Sequence, residues 1–159
     1  MDRHEKYMGE ALSLAREAYL EGEVPVGCVV VCGDEIVGRG KNRRESRKNA
    51  VLHAEIEAIG EACRKVGGWR LSGCALYVTL EPCPMCAGAV INARIDRVYF
   101  GARDRNLGAC GGVINLFHED FHHKPEIVGG ILENECTELL KSFFLQVREK
   151  EVENRVGRE

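Results

Sequence analysis

Residues 75–93 read ALYVTLEPCPMCAGAVINA. Ala75–Leu80 is short, apolar and rich in strand formers, and Met85–Ala93 is a helical run of small residues. Pro84 suits the first position of a helix, which puts Cys83 at the N-cap. Cys83 and Cys86, three apart, then share one face of a helical turn. Exposed N–H groups at a helix start favour thiolates and lower their pKa. The stretch reads as a strand that delivers two thiolates to a helix N-terminus.

A third donor lies upstream, in His53-Ala54-Glu55. Ala54, Ile56, Ala58, Ile59, Ala62 and Cys63 predict a helix that ends before Gly67-Gly68. Inside a regular helix, residues two apart diverge by about 200°. His53 therefore belongs at the helix boundary, where the backbone is not yet helical. Both half-sites then lie at helix N-termini, where open α/β sheets place ligands.

Together the segments read H-x-E…P-C-x-x-C. They offer three zinc ligands, His53, Cys83 and Cys86, and one carboxylate, Glu55, that is not needed as a ligand. A structural zinc site is closed by four protein ligands, whereas a catalytic one uses three. Zinc lowers the pKa of water toward neutrality. Glu55 is the group to carry protons from that water to a ring nitrogen and then to an amine leaving as ammonia. A structural zinc site, with a fourth ligand from Cys63, Cys74, Cys110 or His118, is the alternative, but it leaves Glu55 and Pro82 unexplained. A thioredoxin-like role for Cys83 and Cys86 explains neither His53 nor Glu55.

The rest of the chain supplies a frame. Tyr7, Met8, Ala11, Leu12, Ala15 and Ala18 predict an amphipathic first helix ending near Gly22. Val26–Cys32 and Ile36–Gly40 flank Gly33-Asp34 as a hairpin. Lys41–Asn49 is a polar, basic loop, and Arg103–Gly112 is a second loop. Val98–Gly101 and Glu126–Val128 are short strands, and Leu139, Leu140, Phe143, Phe144 and Val147 mark a last helix. Helices and strands alternate, so the class is a layered α/β domain. The domain is expected over residues 1–148. The nearly all-charged tail, 149–159, is expected to fray.

With 159 residues, 45% of them hydrophobic, the chain reads as one globular domain. No apolar run approaches a membrane span, and the charged opening Asp2-Arg3-His4-Glu5-Lys6 is unlike a secretory signal. A cytoplasmic protein without a membrane partner is expected. The eight cysteines are then expected to be reduced, two of them on metal, with Cys28 and Cys32 as small buried hydrophobes on one side of a strand. The net charge of −3 gives no global pull toward nucleic acid. One local cluster does: Lys41, Arg43, Arg44, Arg47 and Lys48, just before His53, attract phosphates. Trp69 is expected to plug a helix–strand corner. Phe117, His118, Phe121, His122 and His123 form a cluster for which packing, RNA stacking and a second metal site are successively less favoured readings.

H-x-E…P-C-x-x-C is the signature of the zinc nucleobase deaminases. The chain resembles one branch of that superfamily, the bacterial tRNA-specific adenosine deaminases, from its first helix to about Phe144. The resemblance rests on Glu23-Val24-Pro25-Val26-Gly27, Gly40-Lys41-Asn42, His53-Ala54-Glu55, Thr79–Ala89, Arg97–Asp104 and Gly129–Glu133. It implies a three-layer α/β/α fold around a mixed five-stranded sheet, and a homodimer with one zinc per protomer. It implies conversion of adenosine to inosine at the wobble position of a tRNA anticodon, usually in an arginine tRNA. Asn42 matches a position that hydrogen-bonds the target base, and Val26 and Ala54 match pocket positions. Asp104 and Phe144 match contacts to the anticodon stem-loop, with Arg148 a weaker match and Arg43 and Arg44 favoured as phosphate contacts. Where relatives often carry a lysine two residues after Asp104, this chain has Asn106 beside Arg105. Deamination of free guanine, cytosine or cytidine uses the same zinc motif and remains the alternative. A zinc-stabilised RNA-binding module without catalysis has no use for Glu55.

Overall fold

The computed structural model describes residues 2–158. The elements follow in the order α1 (Arg3–Leu20), β1 (Gly27–Cys32), β2 (Glu35–Lys41), α2 (Ala54–Val66), β3 (Cys74–Leu80), α3 (Pro84–Ala93), β4 (Arg97–Ala102), β5 (Glu126–Gly129) and α4 (Glu133–Val156). A short 3-10 turn, Leu116–His118, precedes β5. The five strands form one sheet in the order β2-β1-β3-β4-β5. β1 runs antiparallel to both β2 and β3, whereas β3, β4 and β5 are parallel. The sheet is therefore mixed, as the resemblance implied.

Strand alternation gives the sheet two apolar faces. Cys28, Val30, Leu76, Val78 and Phe100 join alanines of α2 and Ala87 and Val90 of α3 in one core. Val29, Val31, Tyr77 and Tyr99 join Tyr7, Met8 and Leu12 of α1 and Cys136 of α4 in the other. Burying a side chain such as Met8 or Leu12 is worth about 1.5–3 kcal/mol. Three α/β/α layers result.

Two glycines bring α2 close to the sheet. A β-carbon on Gly38 would run into the carbonyl oxygen of Ala58, and one on Gly40 into that of Ala54. Glycine on the strand and alanine on the helix thus let backbone meet backbone. Gly67, at φ +84°, then stops α2 in the left-handed conformation that glycine adopts freely.

Two sequence expectations need correction. Cys32 and Cys74 are disulfide-bonded rather than reduced. They stand directly opposite one another on antiparallel β1 and β3, 4.4 Å apart at Cα. Their pairing follows from strand register, which a compartment argument does not consider. Trp69 plugs no corner: it is half exposed, with the Arg70 guanidinium 4.2 Å from its ring centre and that of Arg94 beyond. α4 extends into the charged tail as far as Val156.

Candidate active site

β3 ends at Leu80, and Glu81-Pro82 leads into α3. Cys83 caps α3 at φ −76°, ψ 173°, with Pro84 in its first turn. His53 caps α2 in the same way, at φ −77°, ψ 158°. His53 and Cys83 are each extended backbone at the threshold of a helix, as the spacing demanded, and Cys86 follows inside the first turn of α3. The two helix starts converge, so that His53 Nδ1 lies 3.6 Å from Cys83 Sγ and 3.6 Å from Cys86 Sγ.

These separations test whether the residues fit zinc. Tetrahedral coordination with Zn–S of about 2.3 Å and Zn–N of about 2.0–2.1 Å places N and S about 3.6 Å apart. All three donor atoms lie within 4.8 Å of one another, and they are the one such group among the described residues. The donor set and its spacing fit.

The electrostatics differ from donor to donor. The hydrogen bond from Cys86 holds the Cys83 thiol down to about 4, with His53 adding to it. That same bond, and then burial, pushes Cys86 up. The bond with Cys83 raises His53. Glu55, in the first turn of α2, is 4% exposed, and burial lifts its carboxyl to about 7. A carboxyl with a pKa near neutrality both accepts and returns protons.

A cavity of about 320 Å³ opens over this group. His53, Ala54, Glu55 and Cys83 line it together with Val26 and Leu80. Val24, Asn42, Arg44, Glu81, Asp104, Leu107 and Phe144 complete its lining, Asn42 and Glu81 buried and Arg44, Leu107 and Phe144 exposed. The volume lies in the range of small-ligand sites. Asn42 is buried, donates from Nδ2 to the Val24 carbonyl at 3.3 Å, and accepts from the Arg44 N–H at 3.2 Å. Asp104 faces the cavity, but its Oδ1 also accepts from the N–H groups of Asn106 and Leu107, at 2.9 and 3.1 Å, and so ties its own loop.

The remaining site candidates are placed differently. Arg43 does not line the cavity; its Nε donates to Glu57 at 2.6 Å. Arg148 lies in an adjoining groove with Arg103, Lys141 and Phe144. Phe117 is buried and Phe121 exposed, so the loop holds no single aromatic platform. His123 Nε2 contacts the Ile95 carbonyl at 2.6 Å, and no second metal-type cluster occurs among the described residues.

Two buried carboxylates at the site escaped the sequence reading: Glu23, fully buried, and Glu81, 3% exposed. Each is an acid followed by Val24-Pro25 or by Pro82, inside segments already singled out. An acid in an apolar or proline context beside a motif was the available signal.

The family described as "Cytidine and deoxycytidylate deaminase zinc-binding region" matches residues 1–102. A tRNA-specific adenosine deaminase of Bacillus subtilis (strain 168) is 48% identical over 151 residues, covering 94% of each chain. A solved structure from work on A-to-I editing by tRNA:A34 deaminases superposes with a TM-score of 0.82 at 42% identity, over 85% of this chain and 99% of that one. The guanine deaminase of Bacillus subtilis superposes with a TM-score of 0.62 at 34% identity, over 74% of each chain. With its three donors, its buried non-ligand carboxylate and this degree of likeness, the chain belongs to the cytidine and deoxycytidylate deaminases, in the branch of the tRNA-specific adenosine deaminases.

Proposed function

We propose that this protein hydrolyses adenosine to inosine at the wobble position of a tRNA anticodon, in an arginine tRNA. The observation that carries the reading is Glu55: a buried carboxyl beside a three-donor metal group, within one cavity, with no ligand role of its own. The relatives named as tRNA-specific adenosine deaminases choose the substrate among the reactions this chemistry allows. His53, Cys83 and Cys86 hold one zinc per protomer, which when bound supplies Lewis-acid activation of water at neutral pH.

The chain's own residues do the rest. Glu55 takes a proton from water and hands it to the purine ring nitrogen as hydroxide adds to the adjacent amino-bearing carbon. It then moves the proton of that new hydroxyl to the amino group, the C–N bond breaks, ammonia leaves and the carbonyl of inosine remains. Asn42 offers its amide to the base edge. Val26, Ala54 and Leu80 present apolar walls. A base inside a folded stem-loop must leave its stack to reach such a cavity. Arg44, Asp104 and Phe144, at the mouth, meet the flanking nucleotides, with Arg148 beyond them. The active form is a cytoplasmic homodimer. Light scattering at twice the 17.7 kDa chain mass checks the dimer.

The test is inosine formation on an anticodon stem-loop carrying wobble adenosine, with free guanine and cytidine in parallel. Glu55→Gln is expected to keep zinc and fold while turnover falls by about 10²–10⁴. Turnover of guanine with none on RNA refutes the tRNA reading and moves the protein to the free-base branch that its likeness to guanine deaminase represents.

A further inference from the structure

The mouth of the cavity is built from two irregular segments, residues 42–53 and 103–115, in which no named strand or α-helix lies. Each carries residues that face the substrate space: Asn42 and Arg44 on one, Asp104 and Leu107 on the other. Something other than a strand ladder must hold them still.

In both cases the support includes one buried carboxylate. Glu23 lies between α1 and β1. Its Oε1 accepts the Glu45 N–H and its Oε2 the Ser46 N–H, each at 2.9 Å. Glu81 follows β3. Its Oε1 accepts the Asp104 N–H at 3.2 Å, and its Oε2 accepts the N–H groups of Cys110 and Gly112 at 3.0 and 2.9 Å. The second loop wraps tightly: a β-carbon on Gly108 would collide with Glu81 Oε2, and one on Gly112 with the Asp104 carbonyl. Neither acid has a salt-bridge partner among the described residues. Their oxygens are met by backbone N–H groups.

Burying two acids without a salt-bridge contact is a costly way to gain stability, and apolar residues of similar volume often do better. The arrangement has another use. A carboxylate accepting two or three amides fixes those amides in direction as well as distance, and charge-assisted bonds are the strong ones. Of the bonded amides, those of Glu45 and Ser46 stand one and two residues from Arg44, and a third is that of Asp104 itself. A rim free to move must be ordered again when the RNA binds, and that ordering is subtracted from affinity.

We propose that Glu23 and Glu81 are positioning residues, each holding one rim of the cavity in the geometry that receives the RNA, so that they set substrate affinity rather than the chemical step. This rests on the tRNA reading above.

The experiment uses the zinc-loaded protein with Glu23→Gln and Glu81→Gln, whose amide NH2 replaces an acceptor with a donor facing an N–H. Amide hydrogen exchange is read at Glu45 and Ser46 for the first variant, and at Asp104, Cys110 and Gly112 for the second. Steady-state kinetics are read on the stem-loop. Expected are exchange and KM each raised about tenfold or more, from the loss of one to two charge-assisted bonds. Saturating kcat stays within about twofold, since Glu55 and the zinc donors are untouched. Glu23→Asp and Glu81→Asp, which keep the charge but withdraw it by a methylene, are expected to raise KM as well and serve if the Gln variants do not fold. A lowered melting temperature with KM unchanged in the folded fraction would show a merely structural role and overturn the proposal. If the wild type acts on free guanine and not on RNA, the tRNA reading fails, and the KM for guanine reads the same rims: unchanged exchange and unchanged KM there overturn the proposal independently.

Discussion

Arg43 donates its Nε–H to the Glu57 carboxylate at 2.6 Å, joining the basic loop to the first turns of α2. Its neighbour Arg44 lines the cavity instead. Two adjacent arginines therefore have different tasks. Arg44→Ala should weaken stem-loop binding and lower the log–log salt slope by about 0.7, the loss of one phosphate contact on a single strand. Arg43→Ala should leave that slope unchanged and lower stability by about 0.2–1 kcal/mol, the worth of an isolated ion pair. Fluorescence anisotropy across a salt series separates them. Equal slopes for both variants would contradict the assignment.

Gly40 connects strand packing to metal binding. Its missing β-carbon makes room for the Ala54 carbonyl, and Ala54 follows the donor His53. Gly40→Ala should push the start of α2 away from the sheet, costing about 1–3 kcal/mol by overpacking. Zinc affinity should fall with it, because His53 moves relative to Cys83 and Cys86. Zinc competition titration with a chromogenic chelator reads the change. Gly60→Ala, at a half-buried position of α2 where a β-carbon would meet only the Arg64 side chain, is the control and should leave affinity alone.

The Cys32–Cys74 bond closes a loop with a sequence separation of 42. The chain-entropy estimate for such a loop is about 4 kcal/mol. Reduction, or Cys32→Ala, should lower urea-unfolding stability by up to that amount. Deamination should persist, because Cys74 begins β3 and the zinc-binding turn follows its other end. Loss of activity on reduction, with Cys83 and Cys86 still holding zinc, would show coupling along the strand.

Glu23 also predicts an acid limb. Burial alone would raise its carboxyl, but the N–H bonds from Ser46 and Glu45 outweigh it and hold the group below 4.5. Such a group stabilises the fold above its unfolded pKa, and that contribution is lost as pH falls through the lower folded value. Glu23→Gln should therefore be less stable at neutral pH and show a shallower loss of stability below about pH 4.5. Thermal melts from pH 3 to 7 compare the slopes. Parallel curves would mean that Glu23 is not the titrating group.

Much of this site was legible in local sequence. Pro84 can open a helix and cannot continue a strand, so Cys83 had to be an N-cap. His53 and Glu55 diverge if both are helical, so His53 had to stand at the boundary. Val26–Cys32 and Ala75–Leu80 are short, nearly continuous apolar runs, which read as buried strands. These features depend on backbone geometry within a few residues, and the sequence by itself determined them.

Other features needed the sheet. His53 and Cys83 meet across 30 residues because β1 and β2 place α2 beside the C-terminal end of β3. Strand register alone sets Cys32 opposite Cys74. Glu23 finds its amides 22 and 23 residues away, and Glu81 finds its own 23 to 31 away. Arg43 and Arg44 are interchangeable in composition, and only the approach of Glu57 distinguishes them. Local rules choose the backbone conformation of each segment. Which distant segments then become neighbours is decided by burying both faces of one sheet at once, and that condition exists only in the folded chain.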